Sequence, residues 1–262
     1  SKVIKNKEFC GKKSESLLLR TGLTNVLLLG VGDIDEINLD ILQDISANAS
    51  VTAKTLKCKT YVFNYDIFAP GKYIGKSGFS HRKISQNDLE AIVRGADLGL
   101  YDFNTYKSEK KSFRPALMKI TINNKLVPSL NKIIKHGEII SNAIMLSRDL
   151  SNLPSNYCTP TYIAQRVKKI SSGRPIKTTV FTTQKLKQLG FGGLLGVAQG
   201  SKQPPCFIIM EYSGGKRREK PIVFVGKTIT FDTGGISIKP SASMDEMKHD
   251  KSGGATVIGI MQ

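Results

Sequence analysis

Apolar and polar positions divide the chain into alternating strand-like and helix-like stretches. Residues 25–32 (NVLLLGVG) form an apolar run that ends in glycines, the pattern of a buried strand entering a turn. Residues 38–48 carry a helical rhythm, and residues 60–64 read as a short strand. Ser85 followed by Asp88 makes a capping-box-like pair, after which Leu89, Ile92, Val93, Ala96 and Leu100 fall on one helical face. The polar, basic stretch 104–114 reads as a loop, residues 119–122 as a strand, and residues 1–20 as a polar, Lys-rich irregular start. A long amphipathic helix is predicted from about Ser129 to Leu150, with Leu130, Ile133, Ile134, Ile140 and Ile144 inward. Thr159 and Pro160 supply a capping hydroxyl and a proline for the next helix, with Val167 and Ile170 among its apolar positions.

Beyond that helix the rhythm changes. Residues 178–181, 194–197, 207–210 and 222–225 read as strands, several apolar on both faces, with a helix over 184–189 between the first two. Strands alternating with helices, and strands apolar on both sides, argue for an α/β fold with a mixed, mainly parallel sheet. The boundary between two domains is expected in the region of the long helix.

Composition narrows the class. The chain has 262 residues, 40 % apolar and 23 % charged, ordinary for a globular protein and wrong for a disordered one. No apolar run is long enough to span a membrane, and no basic-then-apolar leader opens the chain. Cys10, Cys58, Cys158 and Cys206 are far apart in sequence and form no CxxC pair, so reduced thiols in a cytoplasmic setting are expected. Charge is the unusual quantity: 39 basic against 21 acidic groups give +18. The excess is uneven, with 19 basic and 13 acidic groups in residues 1–120 but 20 and 8 in residues 121–262. Such a surface suits an acidic partner or nucleic acid, yet it is most simply a solvated Lys-rich face.

Candidate chemistry concentrates in residues 225–254, VGKTITFDTGGISIKPSASMDEMKHDKSGG. An apolar segment ends in Gly226-Lys227, Asp232 precedes Gly234-Gly235, Lys239 and Pro240 follow, and Met247 and Asp250 close the stretch. Loops after strands are where α/β sheets place ligands. Gly226-Lys227-Thr228 has the ending of a phosphate-binding loop, but the required first glycine falls at Pro221. Asp232-Thr233-Gly234 matches the aspartic-protease tripeptide, but that mechanism needs two such carboxylates and an all-β setting. The third reading is a metal-dependent hydrolase. Asp232 and Asp250 are hard oxygen donors, a neutral lysine can ligate, and a charged lysine can stabilise an oxyanion.

The strings VGKTITFDTGGISIKP (225–240) and MDEMKHDKSGGA (244–255) closely resemble the leucyl aminopeptidase family of dimetal exopeptidases, also called the cytosol aminopeptidase family. Weaker similarity extends upstream through residues 207–214, 189–201, 147–166 and 95–108. The resemblance implies a smaller N-terminal α/β domain over 1–128, a connecting helix over 129–152, and the first part of a catalytic α/β domain over 153–262. It implies that Lys227 binds the tighter of two metals as a neutral amine, that Asp232 bridges both, and that Asp250 holds the tighter one. Lys239, protonated, would polarise the scissile carbonyl or the hydroxide. Met247 would line the pocket for the substrate's N-terminal side chain; Lys227, Asp232 and Lys239 also face substrate. The implied cofactors are two divalent ions, Mn2+ or Zn2+ and in some members Mg2+. The implied partners are peptide substrates and further copies of the chain, a hexamer in the family. The reaction is removal of an N-terminal residue, leucine-type preferred.

Two departures qualify this. The family's remaining ligands and an arginine belong to an Asn-Thr-Asp-Ala-Glu-Gly-Arg stretch that this sequence lacks, so the chain resembles the middle of an aminopeptidase and is not expected to act alone. Lys251 stands where the family usually has Met, and Thr228 where it usually has Gly. A cation at 251 would weaken a neighbouring metal if it faced inward. The competing reading is an inactive relative, or a basic nucleic-acid-binding or assembly module, for which the +18 charge speaks but no recognition motif does. His249 is expected to be solvated or packed, and His81 and His136 have no partner that sequence identifies.

Overall fold

The computed structural model describes residues 8–262 apart from 23, 65–73, 76–77, 80–84, 110–112, 116, 122–129 and 217–218. His81 and Ser129, and the last residue of the strand expected at 119–122, therefore lie outside the described residues. The chain divides into two compact units, Ser1–Asn142 and Ala143–Gln262.

In the first unit, β1 (Ser16–Arg20) pairs antiparallel with β2 (Asn25–Leu29), Leu18 opposite Leu27. Strand β1 corrects the irregular start expected over 1–20. The run Leu17 to Leu19 is short and flanked by charge, which hid its pairing partner in β2. Helix α1 (Leu39–Thr55) begins where the Asn38 side chain accepts from the Ile41 amide at 3.0 Å. Strand β3 (Thr60–Asn64) runs parallel to β6 (Leu117–Thr121), and a short antiparallel pair, β4 (Ile74–Gly75) and β5 (Gly78–Phe79), lies between them in sequence. Helix α2 (Gln86–Gly99) carries the expected capping box: the Asp88 amide donates to Ser85 Oγ, and the Ser85 amide to Asp88 Oδ2. Its apolar face buries Leu89 and Ile92 with Leu42 of α1 and Phe63 of β3.

Helices α1 and α2 approach unusually closely. A Cβ on Gly95 would lie 2.1 Å from the Gln43 carbonyl oxygen, and one on Gly99 2.6 Å from that of Ala47. The buried Ser46 hydroxyl donates across the same seam to the Ile92 carbonyl at 2.7 Å. His136, unassigned from sequence, meets Glu90 Oε2 at 2.6 Å. It belongs to the first part of α3 (Leu130–Asn152), the long helix expected from about Ser129.

The second unit contains the last turns of α3, then α4 (Pro160–Ser171), β7 (Ile176–Phe181), α5 (Thr183–Gln188), α6 (Gly192–Ala198) and β8 (Phe207–Tyr212). A 3-10 helix (Met244–Lys251) and α7 (Ser252–Ile260) complete it. Thr159 caps α4 as expected, accepting from the Tyr162 amide at 3.2 Å. Strands β7 and β8 are antiparallel, with Val180 opposite Ile208. Leu146, Leu150, Val167 and Ile258 form the core with the buried Cys158.

Two expected strands differ here. Residues 194–197 are helical, within α6: three apolar residues interrupted by Gly196 satisfy a short strand and a helix equally, and periodicity alone does not separate them. Residues 222–225 pair with no strand among the described residues, and Ile222 and Val225 are 84 % and 90 % exposed. The α/β class and mixed pairing stand as expected, but the parallel majority does not: of the described ladders, β3–β6 is parallel and the other three, β7–β8 of the second unit among them, are antiparallel.

Glycine substitutions separate packing from propensity. Gly95→Ala drives a methyl into a backbone carbonyl, and we expect a loss of about 1–3 kcal/mol. Gly196→Ala in α6 meets nothing within 4 Å and should gain up to about 1 kcal/mol. Urea unfolding of both variants checks the opposite signs.

Candidate functional site

The segment 225–254 folds around a backbone contact. The Gly254 amide, in the first turn of α7, donates to the Lys227 carbonyl at 2.7 Å. A Cβ on Gly226 would sit 2.5 Å from the Gly253 carbonyl oxygen, and one on Gly254 1.9 Å from Thr228 Oγ1. Only glycines allow the start of α7 to press against the chain at 226–228. This contact brings Lys227 to the residue two before α7: Lys227 Nζ lies 2.9 Å from Asp250 Oδ2.

A second fold of the chain delivers the other pair. Gly234 and Gly235 have φ of +89° and +74°, conformations in which a side chain is strained. The loop they form is tied by the Gly234 amide to Asp232 Oδ1 at 3.0 Å and by the Lys239 amide to the Thr233 carbonyl at 2.9 Å. The Lys239 side chain thereby returns to Asp232, with Nζ donating to Oδ2 at 2.9 Å and lying 3.1 Å from Met247 Sδ. Each of the five residues singled out from sequence thus meets another of them: Lys227 meets Asp250, and Lys239 meets both Asp232 and Met247.

The electrostatics follow from these pairs. The Lys239 ammonium, then the Gly234 amide, hold the Asp232 carboxyl below its usual value of 3.8. The Asp250 carboxylate, with a smaller contribution from Asp232, raises Lys227 above 10.5. Lys227 Nζ is ion-paired with Asp250 Oδ2, but the contact lacks hydrogen-bond geometry, so this buried oxygen has no hydrogen bond among the described residues. A partly satisfied Asp250 carboxylate, and an Asp232 carboxylate that acts on the same Lys227 amine, make a donor set that fits a hard or borderline divalent cation. Among the described residues no group of three or more His, Cys, Asp or Glu converges, so the lysine amine is needed to extend the set. His249 is exposed, as expected.

Lys251 does not take the orientation in which it would weaken a neighbouring metal. Its side chain does not face the ligands but is 1 % exposed, with Nζ donating to the carbonyls of Leu153, at 2.8 Å, and Lys248. Burial lowers its pKa. Burial also raises the thiols of Cys158 and Cys206, in keeping with inert core cysteines. Sequence reasoning missed Ser155, whose hydroxyl donates to the Thr230 carbonyl at 2.6 Å. The two are distant in sequence and no local pattern marks the bond.

Comparison with known proteins places this geometry in context. The model described as "Cytosol aminopeptidase family, catalytic domain" matches residues 145–262, and that of the family's N-terminal domain matches residues 1–110. A probable cytosol aminopeptidase of Nitrosococcus oceani is 37 % identical over all of this chain and 52 % of its own length. One of Cenarchaeum symbiosum is 46 % identical over 65 % of this chain and 34 % of its own. Among solved structures, a tomato leucine aminopeptidase mutant superposes with a TM-score of 0.80 at 26 % identity, over 98 % of this chain and 48 % of its own. The bottromycin maturation enzyme BotP in complex with Mn gives 0.77 at 25 %, over all of this chain and 52 % of its own. The chain spans about half the length of the curated relatives it matches over its full extent.

The ion pairs make a pH prediction for the metal-free protein. A depressed carboxyl contributes stability above its unfolded value of 3.8, lost as pH falls through the lower folded value. A raised lysine contributes below 10.5, lost as pH rises through the higher folded value. The cluster therefore holds between these limits. Carboxyl-carbon NMR should place the Asp232 midpoint below 3.8, and Lys239→Met should return it toward 3.8. A wild-type midpoint at or above 3.8 would contradict the pairing.

Proposed function

The chain belongs to the cytosol aminopeptidase family, and from that membership we propose that the whole protein removes N-terminal residues, leucine-type preferred, from peptides with the help of two divalent ions. The observation that carries this is the convergence of Lys227, Asp232, Lys239 and Asp250 as two ion pairs, within the segment matched by the catalytic-domain model. In this reading Lys227, Asp232 and Asp250 would hold the metal. Mn2+ or Zn2+ are the first candidates and Mg2+ the next; support comes from the donor chemistry and from the Mn complex of BotP. When bound, the ions supply Lewis acidity at the scissile carbonyl and acidify a water molecule.

The chain's own residues do the rest. Lys227 ligates only as a neutral amine, so its ion pair with Asp250 must open and release a proton. The Lys239 ammonium donates to the substrate's carbonyl oxygen and stabilises the negative charge that develops there. The Met247 thioether, beside Lys239, lines the pocket for the N-terminal side chain. The same reading covers the domain layout of 1–128, 129–152 and 153–262, hexameric assembly and a cytoplasmic location. The relatives' names support the last, and no described helix is long and apolar enough to cross a membrane.

The test uses the full-length protein with leucine p-nitroanilide. Hydrolysis should require Mn2+ or Zn2+ and stop with EDTA. Lys239→Met should lower kcat by about 10²–10³-fold with little change in KM, the usual cost of one oxyanion donor. Asp232→Asn should abolish metal-dependent turnover. Hydrolysis undiminished in EDTA, or full kcat in Lys239→Met, would overturn the proposal.

A further inference from the structure

Two contacts at the end of α3 reach the two halves of the candidate site. The Leu153 carbonyl, one residue past the helix, accepts from Lys251 Nζ, and Lys251 directly follows Asp250. Two residues on, the Ser155 hydroxyl donates to the Thr230 carbonyl at 2.6 Å, and Thr230 stands two residues before Asp232. We propose that the turn over residues 153–155 is the common anchor that spaces the Asp232 and Asp250 loops, with Lys251 and Ser155 as positioning residues. This rests on the metal-site reading above.

The chemistry of Lys251 sets it apart from a core filler. A buried ammonium is costly unless its donors find acceptors, and here two backbone carbonyls supply them. Leu153 lies where the carbonyls at a helix C-terminus lack intrahelical donors and favour a cation. Its second acceptor, the Lys248 carbonyl, belongs to the 3-10 helix that carries Asp250, so the ammonium ties that helix to the end of α3. A methionine, expected here from the resemblance, would fill the volume but join neither carbonyl. Ser155 makes the matching tie to the other loop. Neither residue touches the ligand atoms; each fixes the backbone beside one ligand.

Mn2+ binding to the full-length protein, read by EPR of the free ion, tests this without turnover. Lys251→Met should weaken Mn2+ binding by about 10–100-fold, the range for groups that orient metal ligands, in a protein that remains folded by circular dichroism. Ser155→Ala should weaken it by about 10-fold. If Lys251→Met does not fold, Ser155→Ala decides by the same measure. A lowered Tm with a dissociation constant within twofold of wild type would show packing alone and overturn the positioning role. If the wild-type protein binds no Mn2+, the metal site fails and this inference fails with it; if it binds while both variants bind equally well, only this inference fails.

Discussion

The geometry of the site depends on one close approach of backbone to backbone. The first turn of α7 lies against the chain at 226–228, with Gly226, Gly253 and Gly254 at the contact and a single amide-to-carbonyl bond, Gly254 to Lys227, sealing it. One such bond contributes only about 1 kcal/mol net. Its importance is positional: it fixes the backbone that carries Lys227 relative to the helix start that follows Asp250. The Gly234-Gly235 loop solves the same problem over a shorter span, turning the chain so that Lys239 comes back to Asp232.

These two folds leave the site balanced in charge although the chain as a whole carries +18. Two ammonium groups neutralise two carboxylates, and the groups are partly exposed rather than sealed in the core. Partly exposed pairs contribute little to stability, so these two are weak structural braces. The bracing is done elsewhere, by Lys251 and Ser155, whose bonds end on backbone carbonyls.

Local signals were read well from the sequence. The Ser85–Asp88 box, the Thr159–Pro160 start and the apolar face of α2 each need only a few neighbouring residues to be recognised, and each forms as expected. The five candidate residues, whose contacts the structure shows, were legible because they share one continuous motif. What was lost depended on distance or on partners. The strand identity of residues 17–19 needed β2, and the buried direction of Lys251 needed the end of α3. The helix over 194–197 was lost for another reason, since a short apolar run carries no period long enough to distinguish it from a strand.

The contact between Thr228 and Gly254 has a consequence for inheritance. The Thr228 side chain occupies the space that a methyl group on residue 254 would need. The two positions, more than two dozen residues apart, therefore share one volume. Even the Cβ of residue 228 would lie 2.7 Å from that methyl, so a descendant chain can carry a side chain at 254 only after 228 has become glycine, and the reverse order passes through a protein whose α7 no longer seats. The threonine at 228, modest as a single exchange, thus makes glycine at 254 a historical commitment.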